Sequence, residues 1–194
     1  MLPSATEEIA SAAARLVVDE GMEYAQAKRK AARQVAPSRG RLELPSNEQV
    51  EDEVRGYLEL FHAETQPAEL RALRELALRW MRRLADFRPH LGGAVWRGTA
   101  TRLSAIHLDL YCDDPKSAEI ALINLGVDYD VASGDADVEH LRVAERCPGL
   151  DEPVTLFLAI RDRDDQRGAL KPDARGRSWR GDAAALQRLL EHDA

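Results

Sequence analysis

Between Pro89 and Asp114 the chain reads PHLGGAVWRGTATRLSAIHLDLYCDD, and this stretch holds the residues best suited to chemistry. Gly92 and Gly93 have no side chains, so backbone N–H groups there can approach a phosphate. Arg97 and Arg102 flank Gly98 and Thr99, and a glycine-containing loop with two arginines suits anion binding. Ala105 to Cys112 then alternates. Ile106, Leu108, Leu110 and Cys112 face one way; Ala105, His107, Asp109 and Tyr111 face the other. His107 and Asp109 therefore point the same way, either into a site or into a polar face where they pair with each other or with an arginine. Asp128 and Asp130 alternate with Val127, Tyr129 and Val131 in the same manner, as a second acidic strand or a plain polar one. No G-x-S-x-G elbow, H-E-x-x-H helix or Walker A loop occurs.

The elements around these residues read in order. Residues 4 to 36 form two helices, capped by Ser4 or Thr6 and separated near Gly21. Pro37-Ser38-Arg39-Gly40 breaks the second. Ser46 with Gln49 fits a capping box for a third helix, buried through Val50, Val54, Tyr57 and Phe61. Pro67 suits the first turn of a long helix whose apolar face is Leu70, Leu73, Ala77, Trp80, Leu84 and Phe87. His90 to Trp96 is expected as a short strand and Arg97 to Arg102 as a loop. Asp114 and Pro115 start a further helix that Gly126 closes. Strands follow at Val127 to Val131, Val138 to Ala144 and Val154 to Ile160, with turn residues Ser133-Gly134-Asp135 between the first two. Arg161 to Arg180 reads as a surface loop, and Asp182 to Leu190 as a last helix.

Composition sets outer bounds. The chain has 194 residues, 44% of them apolar, enough for a core. The net charge of −7 excludes a uniformly basic nucleic-acid surface, so nucleic acid is not the expected partner. No apolar run approaches the roughly 18 residues of a membrane helix. The opening MLPSATEEIASAAARL lacks a basic region and a long apolar run, so no secretory leader is expected. Cys112 and Cys147 have no metal spacing and read as free thiols of a cytoplasmic protein.

Helix, glycine turn, basic loop, acidic strand, helix, acidic strand: this order resembles the nucleotidyltransferase superfamily typified by DNA polymerase beta, and in particular its small bacterial members. Read without gaps over residues 67 to 131, Gly93-Ala94 falls on that family's glycine-serine pair. Arg97-Gly98-Thr99-Ala100 matches its loop residue for residue, Ser104 falls on its serine, and Ile106 and Leu108 on its hydrophobic positions. The two motif aspartates fall on Ala105 and His107, with Asp109 one alternate position later. A register shift makes His107 and Asp109 the metal pair, and Asp128 best matches the third carboxylate.

The resemblance implies an α/β (α+β) protein: a helical N-terminal region over residues 1–64, then a small mixed-sheet nucleotidyltransferase-like domain over 65–194. If the chain is active, Asp109 and Asp128 are catalytic and, with His107, hold Mg²⁺ or Mn²⁺; otherwise no cofactor is implied. Histidine is a poor Mg²⁺ ligand and a better one for Mn²⁺. Gly93, Arg97, Gly98, Thr99, Arg102 and Ser104 would face the triphosphate of a bound nucleotide. A nucleotide or phosphorylated ligand held without transfer is the leading expectation. Two alternatives stay open: a ligand-free module that binds a protein partner, and a DNA-binding regulator through residues 5–41. The second rests on AARLVVDEG and the alanine-rich helix after it, which resemble the opening of tetracycline-repressor-type domains but lack that family's recognition helix.

Overall fold

Ser4 and Ser46 start helices for the same local reason. Each hydroxyl accepts the backbone N–H three residues on, and Glu7 and Gln49 return the bond to the cap. Such caps are worth about 1 kcal/mol each. The computed structural model describes residues 3–35, 43–132, 138–173 and 175–192. In it α1 (Ala5–Glu20) packs against α2 (Tyr24–Val35) and α3 (Asn47–Phe61). Ala27 and Ala31 of α2 are fully buried, so small side chains let two helix backbones come close. With Ile9, Ala13, Val50 and Val54 they form a core separate from the rest of the molecule. The expected break at Pro37–Gly40 and the turn at Ser133–Asp135 lie outside the described residues.

A second core begins with α4 (Gln66–Arg83), which has proline in its first turn and buries Leu73, Leu76, Ala77 and Trp80. A 3-10 turn (Ala85–Phe87) follows, and Arg88 takes φ 47° to redirect the chain into β1 (His90–Gly92). Next come α5 (Gly93–Arg97), β2 (Ile106–Cys112), α6 (Lys116–Asn124), β3 (Asp130–Ala132), β4 (Glu139–Glu145), β5 (Val154–Asp162), β6 (Arg180–Gly181) and α7 (Ala183–His192). The strands form one mixed sheet in the order β3-β4-β5-β2-β1-β6, in which β2 and β5 run parallel and the other pairs antiparallel. Ile106, Leu108 and Leu110 of β2 lie beside Leu156, Leu158 and Ile160 of β5, and side chains of α4, α6 and α7 join them in the core. Each fully buried leucine contributes about 1.5–3 kcal/mol. Period-two alternation leaves His107, Asp109, Phe157 and Arg161 on the opposite face.

Three sequence expectations are corrected. The strand expected over His90 to Trp96 stops at Gly92, because Gly93 adopts φ 66° and turns the chain into α5. Arg97 therefore ends a helix rather than opening a loop. The strand expected over Val127 to Val131 starts only at Asp130: the Val127 N–H closes α6 on the Leu122 carbonyl, and pairing begins at Asp130 with Arg142. Residues 161 to 180 are not one irregular loop. They hold a 3-10 segment, Arg163–Gly168, a bridge between Pro172 and Ser178, and the start of edge strand β6. Among the described residues no helix is long and apolar enough to cross a membrane.

Candidate anion-binding cleft

The register of the sheet assembles the site. Gly92 lies beside His107 across β1 and β2, His107 beside Phe157 across β2 and β5, and Ala159 beside His140 across β5 and β4. Together with Asp109, Arg161, Trp179 and Arg180 these residues line a cleft of about 330 Å³ on the face away from the core. Two glycines shape it. A Cβ on Gly93 would meet the His107 ring at 3.2 Å, and one on Gly181 would overlap the Trp96 ring, so β6 lies flat against that indole. The indole N–H of Trp96 donates to the Ser178 carbonyl at 2.9 Å, which fixes the segment carrying Trp179 and Arg180 over the cleft.

Asp109 is 8% exposed, and both of its carboxylate oxygens are taken. Arg161 Nε lies 2.9 Å from Oδ1, and Arg180 Nε donates to Oδ2. Two guanidiniums thus face one carboxylate. Each keeps four further N–H donors, and among the described residues no other acceptor is seen for them. His107 stacks on Phe157, ring centroids 5.3 Å apart, and its Nε2 lies 2.8 Å from Glu23 Oε1 in the connection between α1 and α2. That hydrogen bond holds the Glu23 carboxyl below the ordinary range.

The structure places the other expected site residues as follows. Gly93 lines the cleft. Arg97 does not: its side chain is 6% exposed and points into the junction with the helical bundle. There its Nε donates to Glu51 Oε2 at 2.9 Å and its Nη2 to Asp173 Oδ2 at 3.1 Å, while its guanidinium lies over the Trp179 ring at 4.3 Å. Gly98 is the left-handed cap of α5, and its carbonyl accepts from Gln66. Thr99 is buried beside Tyr24. Arg102 is exposed, with its backbone N–H held by Glu69. The Ser104 hydroxyl accepts the Thr101 N–H at 3.0 Å. Asp128 is exposed and lies two residues before β3, the far edge strand. Three strand spacings separate β3 from β2, roughly 14 Å at about 4.8 Å each.

Asp109 and Asp128 therefore do not converge, and this corrects the expectation that they share a metal with His107. Hard divalent ions need several free oxygen ligands. Here one carboxylate is covered by two arginines, the position beside His107 on β5 is Phe157, and no cluster of three His, Cys, Asp or Glu able to hold a metal occurs among the described residues. These residues do not fit a two-metal centre.

Sequence reasoning missed Arg161, Arg180, His140, Trp179 and Glu51. Arg161 was within reach, since Phe157, Ala159 and Arg161 continue the alternation of β5 past Ile160. Arg180 lies in a two-residue strand with no periodicity to read. Glu51 is one of five acidic residues on α3 and has no pattern to single it out, yet it is 1% exposed and touched by Arg55, Arg97 and Arg177.

No protein-family model matches the chain, and no curated protein does. Among solved structures, the fold is similar to Cid1, a protein with RNA terminal uridylyl transferase activity. The identity is 12% and the TM-score 0.35, over 57% of this chain and 36% of that one. This chain thus spans little more than a third of that structure, and a likeness of this depth carries no argument about ligand or activity.

Proposed function

We propose that the cleft over β2 and β5 binds the phosphate of a nucleotide or another phosphorylated ligand, without a divalent metal and without transferring the group. The observation that carries this reading is the pair Arg161 and Arg180 on the single carboxylate of Asp109. The pair leaves one net positive charge and unpartnered N–H donors in an open cleft. Guanidiniums recognise phosphate through paired, charge-assisted hydrogen bonds. Gly92 lies beside Arg180 and adds no side chain there, and Phe157 and Trp179 supply aromatic surface. Of the motif residues from Gly93 to Ser104 only Gly93 lines this cleft, so the reading rests on Arg161 and Arg180 and not on the resemblance. Two free cysteines and no membrane-crossing helix among the described residues suit a cytoplasmic setting.

Calorimetric titration with ATP, CTP, GTP and UTP in EDTA tests the proposal. Binding that persists in EDTA and weakens with salt is the expected result. Absence of heat at millimolar nucleotide would remove nucleotides as the ligand, and absence of heat with inorganic phosphate as well would overturn the proposal and leave a ligand-free interaction module. Binding seen only after Mg²⁺ or Mn²⁺ is added would overturn the metal-free part.

A further inference from the structure

A second cavity, of about 220 Å³, lies where the helical bundle meets the sheet. It shares Gly93, His107 and Trp179 with the anion cleft, so the two hollows lie against one wall. Its apolar surface comes from Val17, Met22, Tyr24, Ala94, Ala105 and Trp179. Three of these belong to the N-terminal bundle, outside the residues that carry the motif resemblance. The polar side chains on the wall are already engaged. Asn47 accepts from Lys28, Ser104 accepts from the Thr101 N–H, Glu51 is held by Arg55 and Arg97, and Glu23 is bonded to His107. A polar group entering here would lose water and gain few partners, whereas an apolar or aromatic group gains buried surface. The cavity is smaller than the roughly 300–1,000 Å³ of a complete small-molecule pocket, so it suits one compact group rather than a whole ligand.

We infer that the ligand is a phosphate ester with a compact aromatic or apolar group, the phosphate on Arg161 and Arg180 and the other group in the bundle-walled cavity. This rests on the anion-cleft reading above. It makes the N-terminal helices a selectivity wall, with the Glu23–His107 pair at the boundary between the two compartments.

The test is titration of the full chain with inorganic phosphate, ribose 5-phosphate and phenyl phosphate, repeated on two cavity-filling variants, Ala105→Leu and Met22→Trp. The expected result is phenyl phosphate binding at least tenfold tighter than the other two, with the preference falling below threefold in either folded variant while phosphate affinity stays unchanged. Equal affinity for all three probes overturns the inference and leaves the anion cleft standing. A preference that survives in whichever variant folds overturns it as well. If none of the three binds, the anion-cleft reading falls and takes this inference with it.

Discussion

Two arginine clusters lie on either side of Trp179, and they are built to opposite rules. At the junction of bundle and sheet, Arg97 is almost fully buried and its donors go to Glu51, Asp173 and the Ser178 carbonyl. Burial pushes the Glu51 carboxyl up, but hydrogen bonds from Arg97 and Arg55 outweigh it and hold the group below the ordinary range. In the cleft, Arg161 and Arg180 are about a third exposed and share a single carboxylate. The first cluster is closed: Glu51 and Asp173 are shared among Arg55, Arg97 and Arg177, and Arg177 Nε and Nη2 are buried there without a hydrogen bond. The second is open to water. Residue type does not separate structure from site here; access to water does. The motif arginine, Arg97, fastens two cores together, and two arginines with no motif face the cleft.

Breaking the closed cluster should have the largest effect. Glu51→Ala leaves Arg55, Arg97 and Arg177 without their shared carboxylate, and removing one partner of a buried pair costs about 3–5 kcal/mol. For a chain of this size the melting temperature should fall by roughly 6 to 20 °C, read by calorimetry. A shift under about 2 °C would show the junction to be as weak as a surface ion pair. The open cluster should respond in function rather than stability. Replacing Arg161 and Arg180 together by alanine should weaken phosphate-ester binding by about a hundredfold, at roughly 1.4 kcal/mol for each lost charge-assisted contact. The melting temperature should move only a few degrees.

Asp109→Asn sharpens the comparison further, because the two readings of Asp109 give opposite signs. A metal-holding aspartate would lose ligand binding on substitution. An aspartate that only occupies two arginines competes with the incoming anion, so its neutralisation should tighten binding by about three- to tenfold, in line with a weak partly exposed ion pair. Calorimetry in EDTA reads the sign directly, and weaker binding would return Asp109 to the role of a ligand-holding group.

The legible parts of the sequence were those written in local physics. Ser4 and Ser46 announced their helices through reciprocal caps, Trp80 and Leu84 announced a buried stripe, and Ile106 to Cys112 announced a strand with His107 and Asp109 on one face. The candidate site was legible only in half. Gly93, His107 and Asp109 are in or beside the cleft, because strand alternation puts them there. Asp128 is far away because strand order is a non-local property: β4 and β5 insert between β3 and β2, and nothing in Val127 to Val131 records that. Arg97 was misplaced for a related reason. Its partner Glu51 lies 46 positions earlier, on a helix whose pattern alone calls for a solvated face. Ion pairs between separate cores leave no periodic trace.

The smallest expected effect tests the boundary between the two clusters. Glu23 bonds His107, and its folded-state carboxyl sits below the ordinary glutamate value of about 4.3. A carboxyl lowered by folding stabilises the native state above the unfolded value, and that contribution is lost as pH falls through the folded one. Stability should therefore decline below about pH 4.3, and Glu23→Gln should remove this part of the decline. The side chain is 60% exposed, so solvent screens the pair and the difference should stay well under 1 kcal/mol. Urea unfolding at pH 7 and at pH 3.5, wild type against variant, measures it. A loss larger than that at pH 7, with a matching fall in phosphate-ester affinity, would mean that Glu23 holds His107 against Phe157 as firmly as Glu51 holds Arg97, and that the cleft is a closed structure like the junction beside it.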